Sequence, residues 1–383
     1  MGFFTAPRIC LGRGAIEQLS ALEARRAFVV VDPWLAAHDR HRRMLEELQK
    51  TETTIEVFSQ VVIEPTIKSV DAGIEPVRAF GPDWIVAIGG GSTIDTAKGL
   101  WIRYARPDLA FEQLTPLVDL QLRPRARFVA VPTTSGSGSD ASWACWLKDG
   151  KGGLLEIASR ELVPDWTLLD PELPTSNPPS VSVQGGAEML GAALEAFVSS
   201  WSNPFTDSLA REAVQQGMTH LPRTLRHGDD PEVREPLHYA ATLAGLAASN
   251  AQLGLAHALA AAVAAAFALP YGRILGVLLP YVVEFNYPAA RDKYGTLGGS
   301  LGAAAMNGRS VLSDRLRALW DQLGVPRTLE AAGIEVPVFE RGIRSCAENA
   351  RDSPSFGANP RIPSSQDLDL LLRAAYQGTP VAF

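Results

Sequence analysis

The sequence predicts an α/β domain with a parallel sheet, followed by an all-helical domain. Three observations predict this arrangement. Short apolar segments alternate with helical patterns from the N-terminus to about Asp170, and two of these segments lead directly into loops rich in glycine or hydroxyl groups. Strand signals then nearly disappear beyond a proline-rich segment at Pro171–Pro179. Regular alternation of this kind is typical of a parallel sheet that carries helices on both faces.

Five apolar segments are the predicted strands of this sheet. They are Ala27–Val31, Thr54–Phe58, Trp84–Ile88, Phe128–Val131 and Trp166–Asp170. Continuous apolar runs indicate strands that are buried on both faces, as in a parallel sheet covered by helices. The segments between the strands carry helical patterns, such as Asp39–Lys50 and Ser69–Phe80.

The proline-rich segment predicts the boundary between the two domains. It contains four prolines together with Ser and Asn, which is typical of a linker. We therefore predict an α/β domain at residues 1–178 and an all-helical domain at residues 179–383. The predicted helices of the second domain are Val183–Ser200, Phe205–Pro222, Pro236–Ser249, Gly254–Ala268, Ser310–Leu323 and Ser365–Ala375.

Composition excludes several classes of function. The chain has 383 residues and a formal net charge of −7, and this mild acidity argues against a nucleic-acid partner. The three cysteines are scattered and form no C-x-x-C pair, so we expect no disulfide framework, no cysteine-based zinc site and a cytoplasmic location. The segment Pro236–Gly272 has no charged residue except histidine, but its alanines and polar residues favour buried helices over a membrane span.

The first loop with a chemical signature is Gly89–Lys98, with the sequence GGGSTIDTAK. It lies between a predicted buried strand and a helix, where glycines let a ligand approach the backbone and the helix start offers N–H groups to a phosphate. Ser92 is expected to cap the helix and to donate to a phosphate oxygen. A tight strand-to-helix turn without a ligand would have the same sequence features.

A second loop and one acidic residue extend this prediction. The loop Pro132–Asp140, PTTSGSGSD, also follows a predicted strand, at the position where open α/β sheets bind nucleotides. Asp32 ends the first predicted strand, where a carboxylate can accept hydrogen bonds from a ribose and repel a 2′-phosphate, which favours NAD over NADP. A flexible surface loop and a helix cap are the alternatives. The candidate cofactor-binding residues are Asp32, Gly89, Gly90, Gly91, Ser92, Asp95, Thr133, Thr134 and Ser137.

Together and in this order, these motifs resemble the iron-containing (group III) alcohol dehydrogenase family. The resemblance continues in the second half of the chain, at Ala193–Ser199, Asn203–Asp207, Gly254–His257, Leu278–Asn286 and Asn359–Arg361. It implies a dinucleotide-binding N-terminal domain, an NAD cofactor, a small-molecule substrate and a homodimer.

The resemblance also implies a metal site, but the chain departs from the family at most of its ligands. The family pattern has an Asp and a His four residues apart on one helix, a His in a G-L-x-H segment and a His in a P-H-G turn. The matching residues here are Glu188, Ala192, His257 and Tyr271, and a further family histidine is replaced by Ala261. Since these leave too few ligands for a tight site, we predict no catalytic metal.

The resemblance therefore implies a metal-independent, NAD-dependent alcohol dehydrogenase or ketone reductase. His257, Tyr271 and Glu188 are the candidate catalytic residues, because a positioned acid or base can handle the alcohol proton without a metal. The small side chains at Ala192 and Ala261 favour a secondary alcohol or a β-hydroxy acid as substrate. Two alternatives stay open: a catalytically silent NAD-binding homologue that acts as a partner subunit, and an enzyme similar to maleylacetate reductase.

Overall fold

The computed structural model describes residues 3–36, 39–150, 153–301 and 311–383. The chain divides into two compact units. The first unit contains Met1–Asn177 and Asp229–Gly245, and the second contains Pro178–Gly228 and Leu246–Phe383. The first unit is therefore built from two separate segments of the chain.

A six-stranded sheet in which every described pairing is parallel forms the centre of the first unit, in the order β1-β8-β5-β4-β2-β3. This confirms the predicted α/β fold with a parallel sheet. All five predicted strands are present, with ends that differ by at most one residue. The strands of this sheet are β1 (Arg8–Leu11), β2 (Arg26–Val31), β3 (Thr54–Phe58), β4 (Trp84–Gly89), β5 (Arg127–Pro132) and β8 (Trp166–Leu169).

The central strands are apolar throughout because each face of the sheet has its own core. Phe28 and Val30 of β2 pack into one hydrophobic cluster, whereas Val29 and Val31 pack into another. Successive side chains of a strand point to opposite faces, so a strand covered on both sides needs apolar residues at every position.

Three strands were not predicted from the sequence. Strand β1 is four residues long and partly exposed, so it has no continuous apolar run to identify it. Strands β6 (Ala144–Lys148) and β7 (Leu154–Ala158) pair with each other in a separate antiparallel sheet. Among the described residues, strand β1 pairs only with β8, which lies more than 150 residues away in sequence, as in the pair Ile9↔Thr167.

The helices of the first unit are α1 (Pro33–Ala36), α2 (Asp39–Gln49), α3 (Ile67–Asp71), α4 (Ile74–Phe80) and α5 (Gly91–Ala105). The prediction of one helix at Ser69–Phe80 was wrong, because two helices meet at Ala72–Gly73. Pro76 lacks the N–H that a continuous helix would need there. A side chain at Gly73 would also meet Leu100, since its Cβ would lie 2.8 Å from a Leu100 methyl carbon.

Helices make up the rest of the chain, and no strand occurs after Leu169 in the described residues. The prediction that the second half of the chain is helical is therefore confirmed. The helices α8, α11 and α13 were not predicted, and Ser310, where one predicted helix begins, lies outside the described residues. The helices are α6 (Pro179–Val198), α7 (Pro204–His220), α8 (Thr224–His227), α9 (Pro231–Ala251), α10 (Leu255–Phe267), α11 (Tyr271–Ser300), α12 (Val311–Leu323), α13 (Val336–Asp352) and α14 (Ser365–Gln377).

Two of these helices cover the uncharged segment noted in the sequence. Within the described residues, no single helix has both the length and the apolar character that a membrane span requires. Helices α9 and α10 meet those limits only when counted as a pair, and they are bent by 105° relative to each other.

Candidate functional site

The glycine-rich loop joins β4 to α5 as predicted. Gly90 is the N-cap of α5 and has no side chain to occupy the first N–H groups of the helix, which are the groups that bind an anion at a helix start. The expectation that Ser92 caps the helix is wrong. Ser92 lies in the first turn, and its Oγ accepts a hydrogen bond from the backbone N–H of Glu64, at 3.1 Å.

The second loop lies directly beside the first, because β4 and β5 are neighbours with Gly89 opposite Pro132. A Cβ on Gly90 would lie 3.0 Å from Thr134 Oγ1, and one on Gly91 would lie 2.6 Å from Ser137 Oγ. Larger residues at these two positions would therefore collide with the second loop, Pro132–Asp140, which we call the hydroxyl loop. The two loops form a cradle lined by backbone and hydroxyl groups, which fits the phosphates of a dinucleotide.

Asp32 lies at the same edge of the sheet as the two loops. It follows β2, and Val31 is opposite Ile88 of β4, so Asp32 is beside Gly89. Its Oδ1 accepts a hydrogen bond from the backbone N–H of Leu35, at 2.7 Å. The side chain is partly exposed. Asp32 thus does cap α1, and its position at the strand end also allows a ribose contact.

Asp95 is placed differently from the other cofactor candidates. It is buried on α5, and its Oδ2 accepts a hydrogen bond from the backbone N–H of Trp146, at 3.3 Å. Burial raises the pKa of Asp95 to about 6, although the nearby Lys98 opposes that shift. One carboxylate oxygen of Asp95 is therefore bound to β6.

Lys98 is a residue of the first motif that the sequence analysis did not single out. Its ammonium group is fully buried and donates to the backbone oxygens of Ser139 at 2.8 Å, Ser142 at 2.7 Å and Ala144 at 3.0 Å. Burial lowers the pKa of Lys98. The lysine thereby connects α5 to Ser139 at the end of the hydroxyl loop and to the segment that leads into β6.

In the second unit, the three candidate catalytic residues lie close together. The rings of His257 on α10 and Tyr271 on α11 have centroids 6.2 Å apart. A Cβ on Gly272 would lie 2.8 Å from Glu188 Oε1, so the Glu188 carboxylate of α6 is next to the start of α11. Residues more than 80 positions apart in sequence thus form one cluster.

Glu195 belongs to this cluster and was missed by the sequence analysis. Its Oε2 lies 2.6 Å from His257 Nδ1, and both residues are buried. The same carboxylate accepts hydrogen bonds from the backbone N–H groups of Gly254 and Ala256. It therefore satisfies the first turn of α10, and with the proton on Nδ1 it leaves His257 Nε2 as an acceptor. The only sequence signal was its place in the family segment ALEAF.

The residues at the family's metal-binding positions do not fit a divalent metal. Ala192 contributes only a methyl group, Tyr271 provides a phenol instead of an imidazole, and His257 Nδ1 is already paired with Glu195. Across the described ranges, no group of three or more His, Cys, Asp or Glu side chains could hold a metal ion. Glu188 and His257 Nε2 alone fall short of the three or four protein ligands of a typical site.

Comparisons with known proteins agree with this fold. The family model described as iron-containing alcohol dehydrogenase matches residues 6–171, and the C-terminal model of the Fe-containing alcohol dehydrogenase family matches residues 182–376. The chain belongs to the iron-containing alcohol dehydrogenase family. It is accordingly an alcohol dehydrogenase-like oxidoreductase that depends on NAD or NADP, as the sequence analysis predicted.

Several family members match over nearly their whole length. The chain is 32% identical to the NADPH-dependent butanol dehydrogenase of Clostridium saccharobutylicum, over 99% of each chain. It is also 32% identical to an alcohol dehydrogenase of Thermococcus barophilus, over 98% of this chain and 100% of that one. The iron-containing alcohol dehydrogenase structure from Thermococcus thioreducens has a TM-score of 0.90 at 30% identity, covering 99% and 100% of the two chains.

Proposed function

We propose that this protein is an NAD-dependent, metal-independent alcohol dehydrogenase or ketone reductase. The observation that carries the proposal is the cluster of Glu188, His257 and Tyr271, which lies where the family pattern has metal ligands. Glu195 Oε2 lies 2.6 Å from His257 Nδ1 and fixes the orientation of the His257 ring. The cluster keeps groups that can accept and donate protons but has lost two of the imidazoles that a metal would need.

These side chains can carry the proton chemistry of an alcohol oxidation. NAD, when bound, accepts the hydride from the carbinol carbon. His257 Nε2 accepts the hydroxyl proton as that C–H bond breaks and the carbonyl forms, and Tyr271 donates a hydrogen bond to the substrate oxygen. Glu188, whose carboxylate lies beside the start of α11, is the alternative acceptor for this proton. In the reductive direction the proton returns from His257 to the carbonyl oxygen.

The NAD preference rests on Asp32. Its carboxylate stands at the end of β2 beside the glycine-rich loop, where a ribose 2′-hydroxyl is a favourable partner and a 2′-phosphate is repelled. This preference would distinguish the protein from its NADPH-dependent butanol dehydrogenase relative.

The substrate proposed is a secondary alcohol or a β-hydroxy acid. Ala192 and Ala261 have methyl groups where the family pattern has imidazoles, and both residues belong to the second unit with His257. Replacing two rings by methyl groups leaves room for a second substituent on the carbinol carbon. This part of the proposal would be tested with a panel of primary and secondary alcohols and the corresponding ketones.

The deciding experiment is elemental analysis of protein purified without chelators, combined with NAD and NADP titration of the same sample. We expect far less than one Fe or Zn per chain, binding of NAD, and NADH formation that a chelator does not abolish. Stoichiometric metal, together with loss of activity on chelation, would overturn the metal-independent mechanism.

Substitution of the cluster separates an active enzyme from a silent homologue. We expect the His257→Ala/Tyr271→Phe double variant to lose about 10²- to 10⁴-fold in turnover, because the proton acceptor and donor are gone, while NAD binding is unchanged. Tyr281→Phe is the matched control, since that tyrosine on α11 donates to the backbone oxygen of Arg327 and packs against Arg317. Unchanged turnover in the double variant would remove these residues from the chemistry. NAD binding without turnover on any alcohol or carbonyl would favour the silent partner subunit.

The remaining expectations about partners stay predictions. They are a small-molecule substrate, a homodimer, no nucleic-acid partner, no membrane partner and a cytoplasmic location. The mild net charge of −7 supports the absence of a nucleic-acid partner, and the scattered cysteines support the cytoplasmic location.

A further inference from the structure

His238 is a buried histidine that no part of the proposed chemistry uses. It lies on the part of α9 that belongs to the first unit, and only 1% of its surface is exposed. Its Nδ1 is 3.1 Å from the Oγ of Ser135 in the hydroxyl loop. Its Nε2 is buried and has no hydrogen-bond partner among the described residues.

The same stripe of α9 holds the hydroxyl loop at two further points. Thr242 Oγ1 donates to Asp140 Oδ2, at 2.7 Å. Gly138 has a φ of +65° and is packed so tightly on α9 that its Cβ, if present, would lie 2.5 Å from the Cα of Gly245. Positions 238, 242 and 245 are spaced by four and three residues and therefore share one helix face. The loop backbone is thus fixed, and Ser135 has a defined place in it.

The buried environment indicates which nitrogen of His238 carries the proton. Burial, reinforced by the neighbouring Arg234, lowers the pKa of His238 to about 3, so the ring is neutral near pH 7 and has one N–H. A proton on Nε2 would leave a buried N–H without an acceptor, which is rare and costly. A proton on Nδ1 instead donates to Ser135 Oγ and leaves only an acceptor unpaired.

We propose that His238 is a positioning residue for the dinucleotide and acts through Ser135. By donating from Nδ1 to Ser135 Oγ, it directs the hydroxyl proton of Ser135 outwards, where that proton is donated to an anionic oxygen of the pyrophosphate. This inference rests on the proposed NAD-binding function of the loop. Ser135 is partly exposed, and the residue before it, Thr134, already faces Gly90 of the glycine-rich loop.

The test compares three substitutions of His238 by titration calorimetry with NAD. Asn keeps a donor close to the position of Nδ1, Gln places its amide nearer that of Nε2, and Leu has no donor. We expect His238→Leu and His238→Gln to weaken NAD binding by about tenfold, the loss of one good hydrogen bond, and His238→Asn to bind nearly as well as the native protein. Equal weakening in all three variants would overturn the proposal.

A double-mutant cycle with Ser135→Ala separates positioning from general damage to the fold. If His238 acts through the hydroxyl of Ser135, His238→Leu should cause no further loss of NAD affinity in the Ser135→Ala background. An undiminished effect in that background would contradict the proposal. Native protein that binds neither NAD nor NADP would instead contradict the proposed function.

A measurement on the native protein covers the case in which His238→Leu does not fold. Nitrogen-15 NMR distinguishes the two neutral tautomers of a histidine ring. A proton on Nδ1 of His238 supports the proposal, and a proton on Nε2 overturns it.

Discussion

The family resemblance implies an imidazole side chain at positions 192, 261 and 271. This chain has a methyl group at positions 192 and 261 and a phenol at position 271. These single side chains separate this protein's proposed chemistry from metal-assisted alcohol oxidation, because a methyl group at position 192 and a phenol at position 271 cannot replace two histidine ligands. His257 remains, but its Nδ1 is paired with Glu195. The residue scale therefore determines whether the cluster can hold a metal at all.

Restoring the family ligands should restore a metal site. We expect the Ala192→His/Tyr271→His variant to retain about one Zn²⁺ per chain after dialysis, because with Glu188 and His257 it would present four donors. Elemental analysis measures this directly. Ala192→His alone is the control and should hold the metal more weakly. A double variant that retains no more zinc than the native protein would show that these four positions do not converge.

The coenzyme preference also belongs to one residue. Asp32→Ser removes the negative charge but keeps a side-chain oxygen for the backbone N–H of Leu35, which Asp32 now caps. We expect the ratio of kcat/KM with NAD to that with NADP to fall by about tenfold or more, since repulsion of the 2′-phosphate is lost. An unchanged ratio would mean that Asp32 serves only as a helix cap.

At the scale of elements, the start of α10 depends on residues that are distant in sequence. Gly254 is the N-cap and provides no side chain, so the first N–H groups of the helix need partners from elsewhere. Glu195 supplies them for Gly254 and Ala256, and Asn359 Oδ1 accepts from Leu255 at 3.3 Å. The helix end that presents His257 is thereby held by α6 and by the segment before α14.

Removal of Glu195 should destabilise this element strongly. Glu195→Ala leaves buried N–H groups of α10 and the His257 ring without an acceptor, and we expect a loss of about 3–5 kcal/mol in the free energy of unfolding. Urea denaturation measures the change. Glu348→Ala is the control, because Glu348 forms an exposed i,i+4 pair with Arg344 and should cost less than about 0.5 kcal/mol. Equal effects of the two substitutions would contradict this account.

Asp95 on α5 should make stability depend on pH. Its pKa in the folded protein is raised from 3.8 to about 6 by burial, so the folded state binds the proton more tightly than the unfolded state. Its contribution to stability is therefore greatest at low pH and falls as pH rises towards about 6. As the pH rises from about 5 to about 7.5, the free energy of unfolding of Asp95→Asn should increase by about 1 kcal/mol relative to that of the native protein. A stability difference between Asp95→Asn and the native protein that is the same at both pH values, measured by urea denaturation, would contradict the raised pKa of Asp95.

At the scale of the whole molecule, the chain consists of two compact units that the two family models match in turn. One model ends at residue 171 and the other begins at residue 182, on either side of the proline-rich segment. Residues Asp229–Gly245 nevertheless group with the first unit, and their side chains hold the hydroxyl loop there. The proposed nucleotide site of the first unit is therefore built from residues of both halves of the sequence.

The assembly predicted for the whole protein is a homodimer. Light scattering coupled to size-exclusion chromatography should give twice the chain mass of 41.1 kDa. The expectation comes from the family resemblance, and the described part of the sheet also leaves β1 and β3 as edge strands. A mass equal to one chain across a range of protein concentrations would contradict it.

Local patterns in the sequence determined a large part of this protein. The buried strands and the two loops at their carboxyl ends were visible because each is a feature of consecutive residues, and the replaced ligands at Ala192 and Tyr271 were visible through the family resemblance. Strand β1 was missed because four partly exposed residues carry no such pattern. The break before α4 was missed because it depends on Pro76 and on packing against Leu100.

Only the tertiary structure decided which polar groups meet. Glu195 and His257 are 62 residues apart, and Ser135 and His238 are 103 residues apart. A hydrogen bond between such residues leaves no periodic or local signal, because it depends on how separate elements pack. Burial makes an N–H donor without an acceptor costly in free energy. It therefore favours the tautomer of each histidine in which the protonated ring nitrogen has a hydrogen-bond acceptor.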